Sequence, residues 1–422
     1  MNQKLTTEWS MPKLFLFRFV FCYFCLFLFF LSNIFPTDLF PFLDFINVPF
    51  RKIGALWIEW VAAAILNQKV KYIPDFGGDS VFVYIGIVSF FILSLLLTIG
   101  WWFLDRRKQH NLLYRVLHTY CRYYLAFHLF NYGFHKISGV QFFPINPSHY
   151  ITPLSEWTFH DMLWRFMGAS RSYNFFGGLL EVVGAGLLLF RKTSTIGAIL
   201  CFVTLVNVLM VNIGYNIPVK IFVFHYLLIC LFIMSNNLKQ IYQLFLLHRL
   251  AILTIVPHVN QTKKLKWVLL VFKLGLIIFM LLFCINNEKR RVKGILTKSE
   301  LYGIYNIDTF SKNGQVIPPL LTDTARWKKF AFNYKGRMAI QFMNDSLQFY
   351  KSEIDTITHS IKLTTYADTS MKINLNYFSQ NRVQYKVFGT CKTDSIVLIM
   401  TAIDMNEMLL FKNRNKIRWT DD

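Results

Sequence analysis

The residues most able to do chemistry here are polar side chains inside long apolar runs, where each ionised group costs about 2.5–3.5 kcal/mol at a bilayer centre. Few are present. The run at 113–137 holds Arg122, His128, Asn131, His135 and Lys136; the next holds Glu181; the two after it hold Asn207 with Asn212, and Lys220 with His225. Glu181 sits mid-run in Phe175-Phe176-Gly177-Gly178-Leu179-Leu180-Glu181-Val182-Val183-Gly184-Ala185-Gly186. Gly178, Glu181 and Gly184 or Ala185 share one helical face, which packs closely on a neighbour while presenting a carboxylate. Lys136, near the outer end of the preceding run, is its natural partner if the two antiparallel helices are staggered by about one turn. Such a pair either fixes helix register or lines a ligand or proton path.

His128 and His135 are seven residues apart and share a helical face, a geometry that presents two imidazoles to a cavity. Quinone headgroup contact or hydrogen bonding between helices suits them. A metal site would need a second ligand set, and no HxxxH, ExxH or Cys-His cluster occurs in the runs. Before Lys220 stand Asn212, Tyr215 and Asn216, a polar mouth; Pro218 suits a first helical turn, and Lys220 can snorkel to the interface. Lys136, Glu181, His128 and His135 are therefore the candidate catalytic residues. Lys136, Glu181, His225 and Asn207 are the candidates to hold a quinone, and no metal ligands are assigned.

The elements that must position these groups are membrane helices. The chain has 422 residues, 54% of them hydrophobic and only 16% charged, with a mean hydropathy of +0.38. Spans fall at 14–35, 81–104, 113–137, 173–190, 194–213, 217–235 and 267–286, each near the ~20 residues that cross ~30 Å of hydrocarbon. A net charge of +22 would suggest nucleic acid in a soluble protein. Here many basic residues sit in short loops beside spans, as in Asp105-Arg106-Arg107-Lys108, Arg191-Lys192 and Lys263-Lys264-Leu265-Lys266. Those loops read as cytoplasmic, and nucleic acid is not an expected partner. The Lys289-Arg290-Arg291 cluster after the last span opposes this orientation. Six of the seven cysteines lie in or beside spans, so a disulfide framework is not expected; Cys22-Tyr23-Phe24-Cys25 reads as buried small residues of an apolar helix. The first run lacks a small-x-small cleavage site and reads as an uncleaved span.

Between the first two spans, Ile53, Leu56, Trp57, Trp60, Val61 and Ala64 repeat at helical spacing, which suits a helix in the interface. The stretch 138–171, with Trp157, Trp164 and Phe166 among three prolines, reads as a second cap on the outer face of the bundle. From about Leu301 the period changes to two: Met338, Ile340 and Phe342, then Ile373, Leu375 and Tyr377, then Ile396, Leu398 and Met400 alternate with polar residues. Seven or eight antiparallel strands in a small barrel or curled sheet follow. His359 and Asp355 occur there without a nucleophile elbow or triad setting. The chain divides into 1–112, N-terminal spans with an outer hairpin; 113–235, a helical core; 236–294, a cytoplasmic loop, last span and linker; and 295–422, the β domain.

The stretch from Arg122 to Ser235 resembles the DoxX family of bacterial membrane proteins. It carries Tyr132-Gly133-Phe134-His135-Lys136, then the glycine-rich helix around Glu181, then Arg191-Lys192-Thr193-Ser194. The resemblance implies a four-helix core with Lys136 and Glu181 at characteristic polar positions, and for some members a link to quinone-dependent oxidation. The β domain resembles a lipocalin-type barrel at Gly303-Ile304-Tyr305. Arg326-Trp327 and Arg418-Trp419 read there as cation–π packing or a ligand site. The expectation is a multi-pass protein of the bacterial inner membrane with a periplasmic C-terminal domain, acting as a quinone-linked oxidoreductase or its membrane subunit. The alternative is a non-catalytic anchor or assembly factor that presents the β domain to an envelope protein partner.

Overall fold

The computed structural model describes residues 8–33, 41–72, 78–256, 263–366, 372–381 and 383–408. A helical N-terminal part, with several candidate membrane-spanning helices, precedes a closed eight-stranded antiparallel β-barrel that carries one extra strand. The helices are α1 (Met11–Leu26, continued by a wider helical turn to Leu31), α2 (Asp44–Leu66), α3 (Val81–Leu104), α4 (Asn111–Ser138), α5 (Pro147–Ile151) and α6 (Phe159–Ala169). After them come α7 (Arg171–Leu189), α8 (Ser194–Gly214), α9 (Lys220–Met234), α10 (Leu238–Phe245) and α11 (Lys263–Ile295).

Among the described residues, six helical segments are long and apolar enough to cross a bilayer: Met11–Leu31, Val81–Leu104, Arg171–Leu189, Ser194–Gly214, Lys220–Phe245 and Trp267–Ile295. This is consistent with a multi-pass membrane protein. The run at 113–137 is helical within the 28-residue α4, but its polar residues keep it outside the six. Its position explains how they are tolerated. Leu117, Cys121, Tyr124, Leu125, Ala126, Leu129 and Phe130 all join the buried core, so neighbouring helices surround much of α4.

Two compact units are present: Met1–Phe134 with Gly178–Ile285, and His135–Gly177 with Asn286–Asp422. The 138–171 stretch, expected as a cap on the bundle, thus belongs with the barrel, and the grouping differs from a division at 113–235. In the first unit, α2 lays Ile58, Val61 and Ala62 against Ile85 and Phe90 of α3 while Leu56 and Trp60 stay exposed. Cations meet helix C-termini, where carbonyls lack partners and the helix dipole is negative. Arg18 donates to the Asp105 carbonyl at 2.7 Å, Arg122 to that of Leu188 at 2.7 and 2.9 Å, and Lys273 to that of Leu189 at 2.6 Å. The Trp9 N–H donates to the Lys108 carbonyl, Arg191 to that of Val256, and Asn237 to Thr195, which gathers the basic loops at one end of this unit.

In the second unit the strands are β1 (Lys298–Lys312), β2 (Gln315–Val316), β3 (Trp327–Tyr334), β4 (Arg337–Phe342), β5 (Leu347–Asp355), β6 (Ser360–Thr365), β7 (Lys372–Ser379), β8 (Gln384–Cys391) and β9 (Asp394–Ile403). Each of β3 to β8 pairs with the next in antiparallel register, and β1 pairs with both β3 and β9 to close the ring; β2 is the extra strand, on the end of β1. Inward residues fill the interior, as eight strands allow: Phe330, Phe332, Met338, Ile340, Ile361, Leu363, Leu375, Val387, Leu398 and Met400 belong to one core.

The outer face of β1, β3 and β4 is also covered, by α5. Ile151 packs on Ile304, Ala331 and Ala339, where small side chains let the helix approach. Asn333 accepts from the Ser148 N–H at 2.9 Å, and Gln341 donates to the Ile151 carbonyl at 3.0 Å. Arg326 does not stack on Trp327. It is buried and donates to the carbonyls of Ile317 and Trp327 at 3.0 and 3.3 Å, while Trp327 packs on Phe310 and Phe330. Arg418-Trp419 lies outside the described residues.

Candidate ligand cavity and the polar groups around it

The helical unit carries a half-open cavity of about 1540 Å³ lined by α1, α3, α8 and α9 and by the starts of α4 and α10. Its walls are mainly aromatic and aliphatic, among them Phe17, Val20, Phe24, Phe91, Phe224 and Leu228, as expected for a site that takes an apolar ligand. At the basic-loop end it reaches Trp9, Lys13, Tyr114 and Arg115, and at the other Tyr84 and Lys220. No aspartate or glutamate is among its lining residues.

Tyr23 of α1 and His225 of α9 are the polar pair on the wall, with Tyr23 Oη 2.7 Å from His225 Nε2. The imidazole lies flat on Phe27, ring centroids 3.9 Å apart and planes at 8°. Its Nδ1 is 2.8 Å from the Ile221 carbonyl, which only accepts, so Nδ1 carries the proton. Nε2 is then the acceptor and Tyr23 donates to it. The phenol oxygen keeps its lone pairs, so the pair can receive a hydrogen bond from a ligand.

Lys220 is anchored rather than free: its Nζ lies 3.5 Å from Asp79 and 3.2 Å from Asn216 Oδ1. Asp79 also accepts from the backbone N–H groups of Lys220 and Ile221 at 2.9 and 3.0 Å, the favourable place for a carboxylate at a helix N-terminus. This cap starts α9 at Lys220, two residues beyond Pro218.

Of the residues singled out from sequence, His225 lines the cavity. His128 is packed between Tyr124 and Tyr226, at centroid distances of 4.5 and 5.4 Å, and is not among the lining residues. Asn207 is exposed on α8 and is likewise absent from the lining. Glu181 is 2% exposed on α7. The glycines around it do allow close packing, on two neighbours. A Cβ at Gly133 of α4 would stand 2.8 Å from the Gly178 carbonyl oxygen, and one at Gly184 would stand 2.6 Å from Cys201 Sγ of α8.

His135 and Lys136 belong to the second unit, Glu181 to the first. In the second unit Lys136 is buried, and His135 sits in an ionic chain with α11. Its Nδ1 is 2.9 Å from Glu288 Oε1, Arg291 Nη1 donates to its Nε2 at 2.9 Å, and Ser138 donates to Glu288 at 2.5 Å. Among the described residues, no group of three or more His, Cys, Asp and Glu side chains is placed to hold a metal ion. Sequence reasoning missed Tyr23, Asp79, Lys13 and Lys273. Only Lys273 carried a signal, a lone cation in an apolar run.

A Bacillus subtilis chain described as the uncharacterized protein YwoB is 28% identical over 124 residues, which are 29% of this chain and 79% of that protein. No protein-family model matches the chain, and no solved structure matches it.

Proposed function

We propose that the helical unit binds a membrane-soluble quinol in the cavity, its ring hydroxyl donating to Tyr23 and its chain lying along the apolar walls. The observation that carries this reading is the Tyr23–His225 pair: with Nδ1 committed to the Ile221 carbonyl, the phenol oxygen accepts from a hydroxyl, and His225 Nε2 is in line to take the proton behind it. The resemblance of 122–235 to DoxX proteins agrees with a quinone-linked role, and electrons would leave to a separate redox partner. His225 is the one residue retained from the set read off the sequence; Tyr23 replaces Lys136 and Glu181 as its companion at the headgroup.

We further place the chain in the bacterial inner membrane with the barrel on the periplasmic side. The placing of Arg106, Arg107, Lys108, Arg191 and Lys192 in short loops beside candidate spans supports that orientation. The test is a quinol titration of the purified protein in nanodiscs, with organic extraction of any quinone that co-purifies. Wild type should bind, and Tyr23→Phe and His225→Gln should each weaken binding about tenfold, the scale of one hydrogen bond in a dry site. No binding by wild type, or unchanged affinity in both variants, refutes the proposal.

A further inference from the structure

A second site lies in the barrel unit, independent of the cavity. Helix α6 ends at Ala169, two residues before Arg171, where the candidate span α7 begins. Its N-terminus is closed by a capping box: Thr158 Oγ1 accepts from the Asp161 N–H, and the Asp161 carboxylate accepts from the Thr158 N–H and hydroxyl at 3.2 and 2.6 Å. Leu163 and Gly168 face the protein. Phe159, Met162 and Phe166 stand exposed at i, i+3 and i+7, a single apolar stripe of the kind that lies in a bilayer interface.

Beside that stripe is Arg165, 8% exposed, its guanidinium 3.8 Å above the Trp157 ring. Nε and Nη1 are buried and have no hydrogen-bond partner, which leaves Nη2 to reach the surface. The carboxylate that faces it, Asp161, attracts the guanidinium but spends one oxygen on the cap. Burial and the charge of Arg165 push His149 down to about 4, so the imidazole stays neutral and adds no second positive charge beside the guanidinium. A guanidinium keeps its charge under all ordinary conditions, and a buried one without an acceptor is costly unless something outside the chain supplies the anion.

We infer that Arg165 on Trp157 binds the phosphodiester of an anionic phospholipid, with the acyl chains along Phe159, Met162 and Phe166. The apolar stripe selects a lipid over a free anion, and Arg171, two residues past α6, is a further exposed cation.

The experiment measures thermal stabilisation of the delipidated full-length protein in detergent by phosphatidylglycerol, by phosphatidylcholine and by inorganic phosphate. Phosphatidylglycerol should stabilise wild type most, and Arg165→Gln should weaken its apparent affinity about fivefold or more, as for loss of one charge-assisted hydrogen bond. Arg165→Lys should recover part of it. Phe159→Ser, at an exposed position where folding is not at stake, should lower the affinity as well. Equal responses of wild type and Arg165→Gln overturn the assignment. So does an inorganic phosphate response equal to that of the lipid, which would mark a free-anion site. So does a Phe159→Ser protein that binds lipid unchanged but loses a co-purifying protein, which would give the stripe to a protein partner.

Discussion

The two units bury polar side chains in opposite ways. In the barrel, alternation along each strand sends polar residues outward and leaves an interior of aromatic and aliphatic side chains; Arg326, the one large buried cation among the described barrel residues, goes to carbonyls beside the end of β2 and the start of β3. In the helical unit a 3.6-residue period cannot separate the two kinds so cleanly. Polar groups run through the middle of α4, and a cavity of about 1540 Å³ stays open beside α9. The barrel interior is filled by this comparison, whereas the bundle keeps an open space. Chemistry is therefore to be sought in the bundle.

The largest expected effect breaks the barrel side of that contrast. Phe330 is fully buried and touches Trp327 and Phe332, so Phe330→Ala should cost about 4 kcal/mol, the transfer loss plus the cavity left behind. Thermal unfolding of the full-length protein, followed by β-sheet circular dichroism, is the measurement. A loss below about 1 kcal/mol would mean an interior loose enough to collapse, and so a barrel with room for a ligand.

A smaller effect sharpens the helical side. Gly133→Ala puts a methyl against the Gly178 carbonyl and Val182, and the helices must separate, at about 2 kcal/mol by the usual cost of overpacking. Gly186→Ala meets nothing within 4 Å and should be neutral or slightly stabilising, since alanine is the better helix former. Thermal scans of the two variants in one detergent compare them directly; equal losses would show that α4 and α7 do not depend on this approach.

How much of this was legible beforehand follows from which signals are local. The change from helical to alternating period near Leu301 announced the barrel, because side-chain period is a property of neighbouring residues. Glu181 and Arg122 were conspicuous as costly groups in apolar runs. Their settings were not: Arg122 is answered by a backbone carbonyl 66 residues away, and carbonyls carry no sequence signature. Asp79 caps a helix that begins 141 residues later, and Tyr23 is one more aromatic in an apolar run until His225, 202 residues on, is placed beside its hydroxyl. The covering of β3 by α5 was half visible, in the small or polar Ala331, Asn333, Ala339 and Gln341 that alternate with the core residues.

The smallest expected loss is on the pair that carries the proposed function. Tyr23→Phe keeps the ring against Phe19, Phe24 and Phe91 and removes only the hydroxyl, which leaves His225 Nε2 without its donor. The imidazole remains stacked on Phe27 and bonded to the Ile221 carbonyl, so the loss of stability should be about 1 kcal/mol. If the pair were there for packing alone, that small destabilisation would be the whole consequence. A thermal shift of this size together with a roughly tenfold loss of quinol affinity would instead separate the two roles, because a hydroxyl so dispensable to the fold would have been shown necessary to the ligand.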